Sequence, residues 1–234
     1  MIVSVIIPAA GLGLRLKSSL PKPLVKIGTK PILMHTLEAL SKDTRITHIS
    51  IAVSQGRGNG FEAVLRKNKI RKRITLILGG NTRRESVENC LRALPLETDT
   101  VLIHDAVRPF ISQELITTLL EEAKSNPAVI CGVPVKATIK QVTMTQGLHD
   151  RSVFVEKTLK RENIWEIQTP QVFQKSVLLE AYAKYKNTAV TDDASLVEKL
   201  GVKIKVVLGS YFNIKITTPE DLVFAKAIVK AGYV

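Results

Sequence analysis

Residues 1–13 of the chain read MIVSVIIPAAGLG, and the fold is predicted outward from this stretch. The run Val3–Ile7 is short, apolar and rich in β-branched side chains, which is typical of a strand covered on both faces. Pro8 ends the run, and Gly11 and Gly13 follow it. Because the strand leads into a glycine-containing turn, backbone N–H groups there can approach a phosphate closely. The stretch therefore predicts an α/β protein with an anion site after its first strand.

Four further short and nearly continuous apolar runs follow along the chain. They are His48–Val53, Ile74–Leu78, Val101–His104 and Val129–Val135. Amphipathic segments lie between them, and Ser112, Thr191 and Thr218 each begin a pattern that is typical of a helix N-cap. This alternation predicts βαβ units, and therefore a mostly parallel, twisted sheet flanked by helices.

Residues 136–158 depart from that alternation. They contain two polar, β-prone stretches on either side of Gly147, which predicts a β-arm that protrudes from the sheet. A lone hairpin is marginally stable in water, so we expect the arm to pack against a second copy of the chain in a homodimer. Trp165 is expected in the core beside the arm. No repeat or linker divides residues 1–234, which predicts a single domain containing the arm as a subregion.

The net charge of +13 indicates a polyanionic partner: nucleic acid, an anionic membrane or small phosphorylated ligands. The densest basic run, Arg66–Arg73, has no aromatic residues on which bases could stack. We therefore interpret it as a solvated helix end and loop, with nucleic-acid binding as the alternative. No apolar run approaches the ~20 residues that span a bilayer. Cys90 and Cys131 are too few for a disulfide framework, and we expect a cytoplasmic protein without a membrane partner.

The glycine-containing turn differs from two common phosphate-binding motifs. No Gly-Lys-Ser/Thr follows it, as in a P-loop, and Arg15 stands near the place of the third glycine of a dinucleotide fingerprint. Arg15 and Lys22 instead place two cations just beyond the turn. Cations beside a phosphate cradle suit a triphosphate that is attacked at its α-phosphorus, where negative charge grows on the oxygens.

The pattern A-A-G-x-G-x-R, followed by Pro21 and Lys22, resembles the signature of the sugar nucleotidyltransferases. Four more segments narrow the resemblance: residues 104–110 (HDAVRPF), 169–173 (TPQVF), 191–198 (TDDASLVE) and 213–217 (NIKIT). Together they resemble the family of 2-C-methyl-D-erythritol 4-phosphate cytidylyltransferases over essentially the whole chain. The resemblance implies a Rossmann-like nucleotidyltransferase fold. It also implies transfer of CMP from CTP to 2-C-methyl-D-erythritol 4-phosphate, with release of pyrophosphate, in isoprenoid precursor biosynthesis.

The resemblance also implies roles for individual residues. The expected catalytic residues are Arg15, Lys22, Arg161 and Lys215; the expected nucleotide-binding residues are Pro8, Ala9, Ala10, Gly11, Gly13, Gly80, Asn81 and Ser86; and the expected residues of the polyol-phosphate pocket are Asp105, Arg108, Thr138, Arg161 and Thr191. Thr138 and Arg161 lie on or beside the arm, so in a dimer they would serve the neighbouring chain's site. Asn81 and Lys160 stand where the family has acidic residues.

The chemistry itself requires little from titrating side chains. A phosphate monoester has a second pKa of about 6, so the nucleophile is largely anionic at neutral pH and needs no general base. We expect Mg²⁺ to bind mainly through the phosphates of CTP, with Asp105 as the single candidate protein ligand. Asp105 also has a structural alternative, as the cap of a turn paired with Arg108. The related alternative activity is that of a ribitol-5-phosphate cytidylyltransferase.

Overall fold

The computed structural model describes residues 1–11, 16, 20–68, 70–144, 152–186 and 188–233. Within them, the strands are β1 (Val3–Pro8), β2 (Lys26–Ile27), β3 (Lys30–Pro31), β4 (Ile46–Val53), β5 (Arg73–Leu78), β6 (Thr100–Ile103), β7 (Ala128–Pro134), β8 (Lys140–Met144), β9 (Val153–Thr158), β10 (Trp165–Gln174) and β11 (Lys205–Leu208). The α-helices are α1 (Ile32–Ser41), α2 (Gly58–Lys67), α3 (Arg83–Arg92), α4 (Gln113–Glu122), α5 (Lys175–Lys184), α6 (Ala194–Glu198) and α7 (Pro219–Lys230). Short 3₁₀ turns occupy Lys22–Leu24 and Arg161–Asn163.

The central sheet has the strand order β11-β7-β10-β6-β1-β4-β5. Strand β1 pairs in parallel with β4 and β6, and β4 pairs in parallel with β5. Strand β10 runs antiparallel to both β6 and β7. The predicted mostly parallel sheet flanked by helices is therefore confirmed. The carboxyl ends of β1, β4, β5 and β6 all lie along one edge, which is where open α/β sheets bind their ligands.

Two apolar layers cover the sheet, one on each face. Val5 and Ile7 of β1 pack with Leu37 of α1 and Ile116 of α4 on one side. Ile6 points to the other side, where it joins a cluster built by α3, α5 and α6. Successive side chains of a strand alternate between faces, so this one short run contributes to both layers. That double burial explains why the apolar run of β1 is nearly continuous.

The five strands that the sequence predicted are all present, with ends displaced by one or two residues. The largest extension is at β4, which begins at Ile46 instead of His48. His104 was expected in β6 but lies just after Ile103, where the chain turns toward the carboxyl edge. Differences of one or two residues at strand ends are expected, because hydrogen-bond pairing and not apolar character decides where a strand stops.

Two strands of the sheet were not predicted. Strand β10 lies in the middle of the sheet although it contains the polar residues Gln168, Thr169 and Gln171, and β11 is short. The three polar side chains are buried and hydrogen-bonded, so they interrupt the apolar pattern without leaving the interior. The placement of Trp165 in the core was wrong: it begins β10 and its exposed fraction is 38%.

The predicted helix starts at Ser112 and Thr218 are confirmed. The Ser112 hydroxyl accepts a hydrogen bond from the backbone N–H of Leu115 at 3.2 Å. Thr218 forms a capping box with Asp221 at the start of α7. At the third predicted start the helix begins later than expected, because Asp193 and not Thr191 occupies the N-cap position of α6.

The predicted arm is present as the antiparallel pair β8 and β9. Its first strand starts at Lys140, so Thr138 lies in the segment before it. None of the helices within the described ranges has the length and apolar character needed to cross a bilayer.

Candidate active site

A cleft of about 460 Å³ opens at the carboxyl edge of the sheet. A cavity of this size can hold a large part of a nucleotide. Its described lining consists of Pro8, Ala9, Ala10, Gly11, Lys22, Pro23, Gly80, Asn81, Thr82, Arg83, Ser86, Asp105, Ala106, Val107, Lys215 and Thr217. Ten residues that the sequence proposed for the site therefore meet in one place, although they come from five separated segments.

The loop after β1 is held against the neighbouring strand. The backbone N–H of Ala9 donates to the carbonyl of Ala52 at 2.9 Å, and the Ser54 hydroxyl donates to the carbonyl of Ala10 at 2.6 Å. Gly79 packs against the same loop: a Cβ placed on it would lie 2.4 Å from the Cβ of Ala10. The position of the loop after β1 thus depends on a glycine at the end of β5.

The turn between β5 and α3 forms another part of the cleft wall. The Ser86 hydroxyl accepts from the N–H of Gly80 at 3.1 Å and donates to the carbonyl of Thr82 at 2.9 Å. Glu85 reaches back to accept the N–H of Asn81 at 2.7 Å. These bonds give the turn a defined shape that does not depend on the side chain of Asn81, which is exposed.

Two lysines enter the cleft from different segments. The ammonium of Lys22, in the first 3₁₀ turn, donates to the carbonyl of Thr217 at 3.0 Å. The ammonium of Lys215 lies 2.8 Å from Oδ2 of Asp105, and its side chain is 42% exposed. The two lysines therefore meet at residues 215–217, and both line the cleft.

Asp105 is the acidic residue among the described lining. Burial by itself raises the pKa of this carboxyl, but Lys215, Arg83 and Arg108 outweigh it and lower the pKa to about 2. The carboxylate is therefore ionised at neutral pH and is surrounded by cations. The expected pairing with Arg108 is borne out, because the Arg108 Nε lies 3.5 Å from Oδ2 of Asp105, while the turn itself is closed by a backbone bond from the Arg108 N–H to the Asp105 carbonyl at 3.1 Å. Asp105 accordingly has a structural role and a place in the cleft.

A buried polar network supports Asp105 from behind. The Thr169 hydroxyl accepts the N–H of Asp105 at 3.0 Å and contacts Nδ1 of His104 at 3.1 Å. The amide of Asn213 donates to the carbonyl of Thr169 at 2.9 Å. Burial lowers the pKa of His104 to about 4, so its imidazole is neutral at pH 7. The network joins β6 and β10 to the segment that carries Lys215.

Arg83 is a cleft residue that the sequence reasoning missed. Its Nη1 donates to Oδ2 of Asp193 at 2.7 Å, and its Nε lies 3.7 Å from Oδ1 of Asp105. Although burial opposes its charge, the two carboxylates raise the pKa of the guanidinium overall. The sequence did contain a signal for Arg83, because it lies between Gly80 and Ser86, both of which were already proposed for the site.

Other proposed residues do not line this cleft. Arg108 is buried behind Asp105, where it donates to the carbonyl of Asn213 at 2.7 Å. Arg161 lies at the base of the arm and donates to the carbonyl of Lys136 at 2.6 Å, near the exposed Thr138, while Thr191 is exposed before α6. Their roles stay predictions. Gly13 and Arg15 lie outside the described residues.

The described residues include neither a cluster of metal ligands nor a reactive thiol. Across the described ranges, no three His, Cys, Asp or Glu side chains are grouped so that they could hold a metal ion. The described cleft offers one carboxylate, that of Asp105, which is compatible with an ion that takes most of its ligands from phosphates and water. Both cysteines are free and buried, and burial raises the pKa of each thiol to about 12. They are therefore poor nucleophiles.

The fold and the cleft together define a Rossmann-like nucleotide-binding protein, with basic residues at the carboxyl edge of its sheet. A family model described as 2-C-methyl-D-erythritol 4-phosphate cytidylyltransferase (IspD) matches residues 3–231. The chain belongs to this family of nucleotidyltransferases.

Individual relatives agree over nearly the full length. The chain is 42% identical to the 2-C-methyl-D-erythritol 4-phosphate cytidylyltransferase of Bacillus cytotoxicus, over 97% of each chain. It is 41% identical to the protein of the same name from Halalkalibacterium halodurans, over 97% of this chain and 96% of the relative.

Solved structures agree as well. The 4-diphosphocytidyl-2C-methyl-D-erythritol synthase of Anaerococcus prevotii superposes with a TM-score of 0.83 at 35% identity, over 98% of both chains. The 2-C-methyl-D-erythritol 4-phosphate cytidylyltransferase of Thermus thermophilus gives a TM-score of 0.77 at 32% identity, over 98% of this chain and all of that one.

Proposed function

We propose that this chain transfers the cytidylyl group of CTP to 2-C-methyl-D-erythritol 4-phosphate and releases pyrophosphate. Membership of the family gives the reaction, and the observation that carries the proposal for this chain is the composition of the cleft. A glycine-containing loop, the turn between β5 and α3 and the cations Lys22 and Lys215 face one cavity. That set suits a triphosphate whose negative charge must be held and neutralised.

The catalytic power of such a site comes from orientation and charge. Attack by the phosphate oxygen on the α-phosphorus forms the new P–O bond and breaks the bond to the pyrophosphate. Two polyanions must be held in line while their repulsion is neutralised. We assign this work to Lys22 and Lys215, with Arg15 as a further predicted cation. The attacking phosphate is already anionic at neutral pH, so no side chain has to remove a proton.

Mg²⁺ is proposed as the cofactor. Asp105 is the carboxylate of the described cleft that could contribute a ligand, and three cations already compete for its oxygens. The ion would therefore be held mainly by the phosphates of CTP, where it would supply further neutralisation of their charge.

We also propose a homodimer formed through the arm. On the paired strands β8 and β9, the side chains of Val142, Met144, Val153 and Val155 share one face, and the exposed fractions of Val153 and Val155 are 56% and 61%. A second copy is the proposed occupant of this face, because a two-stranded ribbon alone is marginally stable. In that assembly Arg161 at the arm's base would reach the neighbouring site.

The experiment that tests the activity measures pyrophosphate release from CTP and Mg²⁺ with two acceptors supplied separately. Release with 2-C-methyl-D-erythritol 4-phosphate, and at most slow release with ribitol 5-phosphate, is the expected result. Release only with ribitol 5-phosphate would contradict the proposed acceptor but keep the mechanism. Silence with both, together with salt-sensitive binding to a nucleic acid, would favour the alternative suggested by the net charge.

The dimer is tested by sedimentation equilibrium of the full chain and of Val153→Lys. The charge would have to be buried in the proposed interface, so the variant should be monomeric while the wild type is dimeric. Thr143→Lys, on the opposite face of the same strand pair, is the control and should remain dimeric. A monomeric wild type at micromolar concentration would refute the proposed assembly.

A further inference from the structure

Arg83 joins two carboxylates that come from distant parts of the chain. Its guanidinium lies 2.7 Å from Asp193 and 3.7 Å from Asp105, and its side chain is 31% exposed on the cleft side. The Asp193 side chain is only 2% exposed. Its second oxygen accepts the hydroxyl of Tyr182 at 2.6 Å. Asp193 is thus a fixed anchor on the side of Arg83 that faces away from the cleft.

This anchor is important because the other two cations that contact Asp105, Lys215 and Arg108, share one of its two carboxylate oxygens. Lys215 contacts Oδ2 of Asp105 at 2.8 Å, and Arg108 contacts the same oxygen at 3.5 Å. Arg83 is the described residue that faces Oδ1. If Lys215 turns toward a phosphate, Oδ2 loses its shortest contact, and Arg83 still restrains the carboxylate. Arg108 cannot readily move into the place that Lys215 leaves, since its guanidinium is bonded to the carbonyl of Asn213.

Arg83 also joins two segments that the sequence assigned to different substrates. It is the first residue of α3 and lies between Gly80 and Ser86 in the chain, whereas Asp193 immediately precedes α6 and lies two residues after Thr191. The ion pair therefore fixes the distance between the turn proposed for the nucleotide and the segment proposed for the polyol phosphate.

We propose that Arg83, anchored by Asp193, is a positioning residue that orients Asp105 and aligns the nucleotide turn with the segment before α6. This inference rests on the proposed function. It assigns Arg83 no contact with the reacting atoms. Because the polyol-phosphate side depends on the alignment, loss of the pair affects kcat and the KM for that substrate more than the KM for CTP.

The test is a double-mutant cycle with Arg83→Gln, Asp193→Asn and the two combined. Each single variant is expected to lower kcat/KM for the polyol phosphate about 10- to 100-fold, and the double variant to fall less than about threefold below the weaker single one. Arg83→Lys should recover part of the loss. The control cycle uses Arg45→Gln and Asp43→Asn, whose 2.5 Å ion pair precedes β4 at the opposite edge of the sheet. It should leave turnover unchanged.

A second readout does not depend on turnover. Hydrogen exchange is measured by mass spectrometry on all variants and on Tyr182→Phe, which removes one bond to Asp193 and disturbs the fold least. Arg83→Gln is expected to speed exchange in residues 191–198, and Asp193→Asn to speed it in residues 80–86. Tyr182→Phe should give a smaller effect of the same kind.

The outcomes separate the inference from the proposed function. Turnover by the wild type would establish the proposed function. A wild type without turnover would refute the proposed function alone, since hydrogen exchange would still test the coupling between residues 80–86 and 191–198. Independent effects in the activity cycle, or exchange confined to the mutated segment, would overturn the inference. A loss of activity that only parallels the loss of thermal stability across the variants would overturn it as well.

Discussion

Gly79→Ala tests how the cleft is built, because it adds a single methyl group behind the loop after β1. The new Cβ would lie 2.4 Å from the Cβ of Ala10 and 2.9 Å from the hydroxyl oxygen of Ser86. Carbon atoms normally approach to about 3.5–4.0 Å, so about 1 Å of displacement is required. The Gly79 N–H is bonded to the Val53 carbonyl, which keeps β5 in place, and the loop with Ala10 must therefore move.

The expected magnitude has two parts. Overpacking of this kind costs about 1–3 kcal/mol of the free energy of unfolding, which lowers Tm by about 2–12 °C in a chain of this size. Misplacement by about 1 Å costs about 100-fold in turnover where geometry decides the rate. We expect kcat/KM for CTP to fall by about that factor, with a raised KM because Ala10 lines the nucleotide side.

Steady-state pyrophosphate release and differential scanning calorimetry measure the two effects. Gly58→Ala is the matched control, because a Cβ there meets no atom within 4 Å and the residue begins α2, away from the cleft. The control should keep its activity and its Tm. If Gly79→Ala kept the wild-type KM for CTP and the wild-type Tm, the close approach of Gly79 to Ala10 would not govern the site.

Three further predictions concern charge and capping. Burial lowers the pKa of His104 to about 4, against 6.5 for a free imidazole. The stability that the neutral, buried His104 contributes is therefore complete above pH 6.5 and declines as the pH falls toward 4. The free energy of unfolding should drop by about 2 kcal/mol between pH 7 and pH 5 through this residue, and urea titration of His104→Gln should show a smaller drop. Lys215→Met should lower kcat/KM at least about 100-fold in the pyrophosphate assay, whereas Lys226→Met, on the exposed part of α7, should not. Thr218→Ala removes the capping box of α7 and should lower the free energy of unfolding by about 1 kcal/mol in urea, and no change would mean that the cap is dispensable.

The apolar pattern predicted most of the sheet because parallel strands that are buried on both faces consist of nearly uninterrupted apolar residues. It failed at β10, where Gln168, Thr169 and Gln171 are buried yet polar. Each has a hydrogen-bond partner that is remote in sequence: Thr169 contacts Asp105, and Gln171 contacts Asp192. No window of neighbouring residues contains those partners, so a polar interior strand and a loop look alike in the sequence.

Site residues could be predicted where one short segment contains several of them. They could not be predicted where the role of a residue depends on a contact with a distant part of the chain. Gly80 and Ser86 were found through the resemblance, while Arg83 in the same turn was missed because its importance depends on Asp193, 110 residues away. Arg108 was placed in the substrate pocket, but its guanidinium lies behind Asp105. Its contact with substrate stays a prediction, as does the cytoplasmic location.

The partners of the cleft cations explain how one site can be both ordered and responsive. Lys22 is bonded to a carbonyl, Lys215 to Asp105 and Arg83 to Asp193, so each cation already has an oxygen partner. A neutral carbonyl is a weaker partner than a phosphate, and Asp105 keeps its contacts with Arg83 and Arg108 when Lys215 leaves it, whereas Arg83 is the described ion-pair partner of the buried Asp193. An entering triphosphate should therefore recruit Lys22 and Lys215 and leave Arg83 in place. The residues that move and the residue that aligns the walls are thus distinguished by what each one is bonded to.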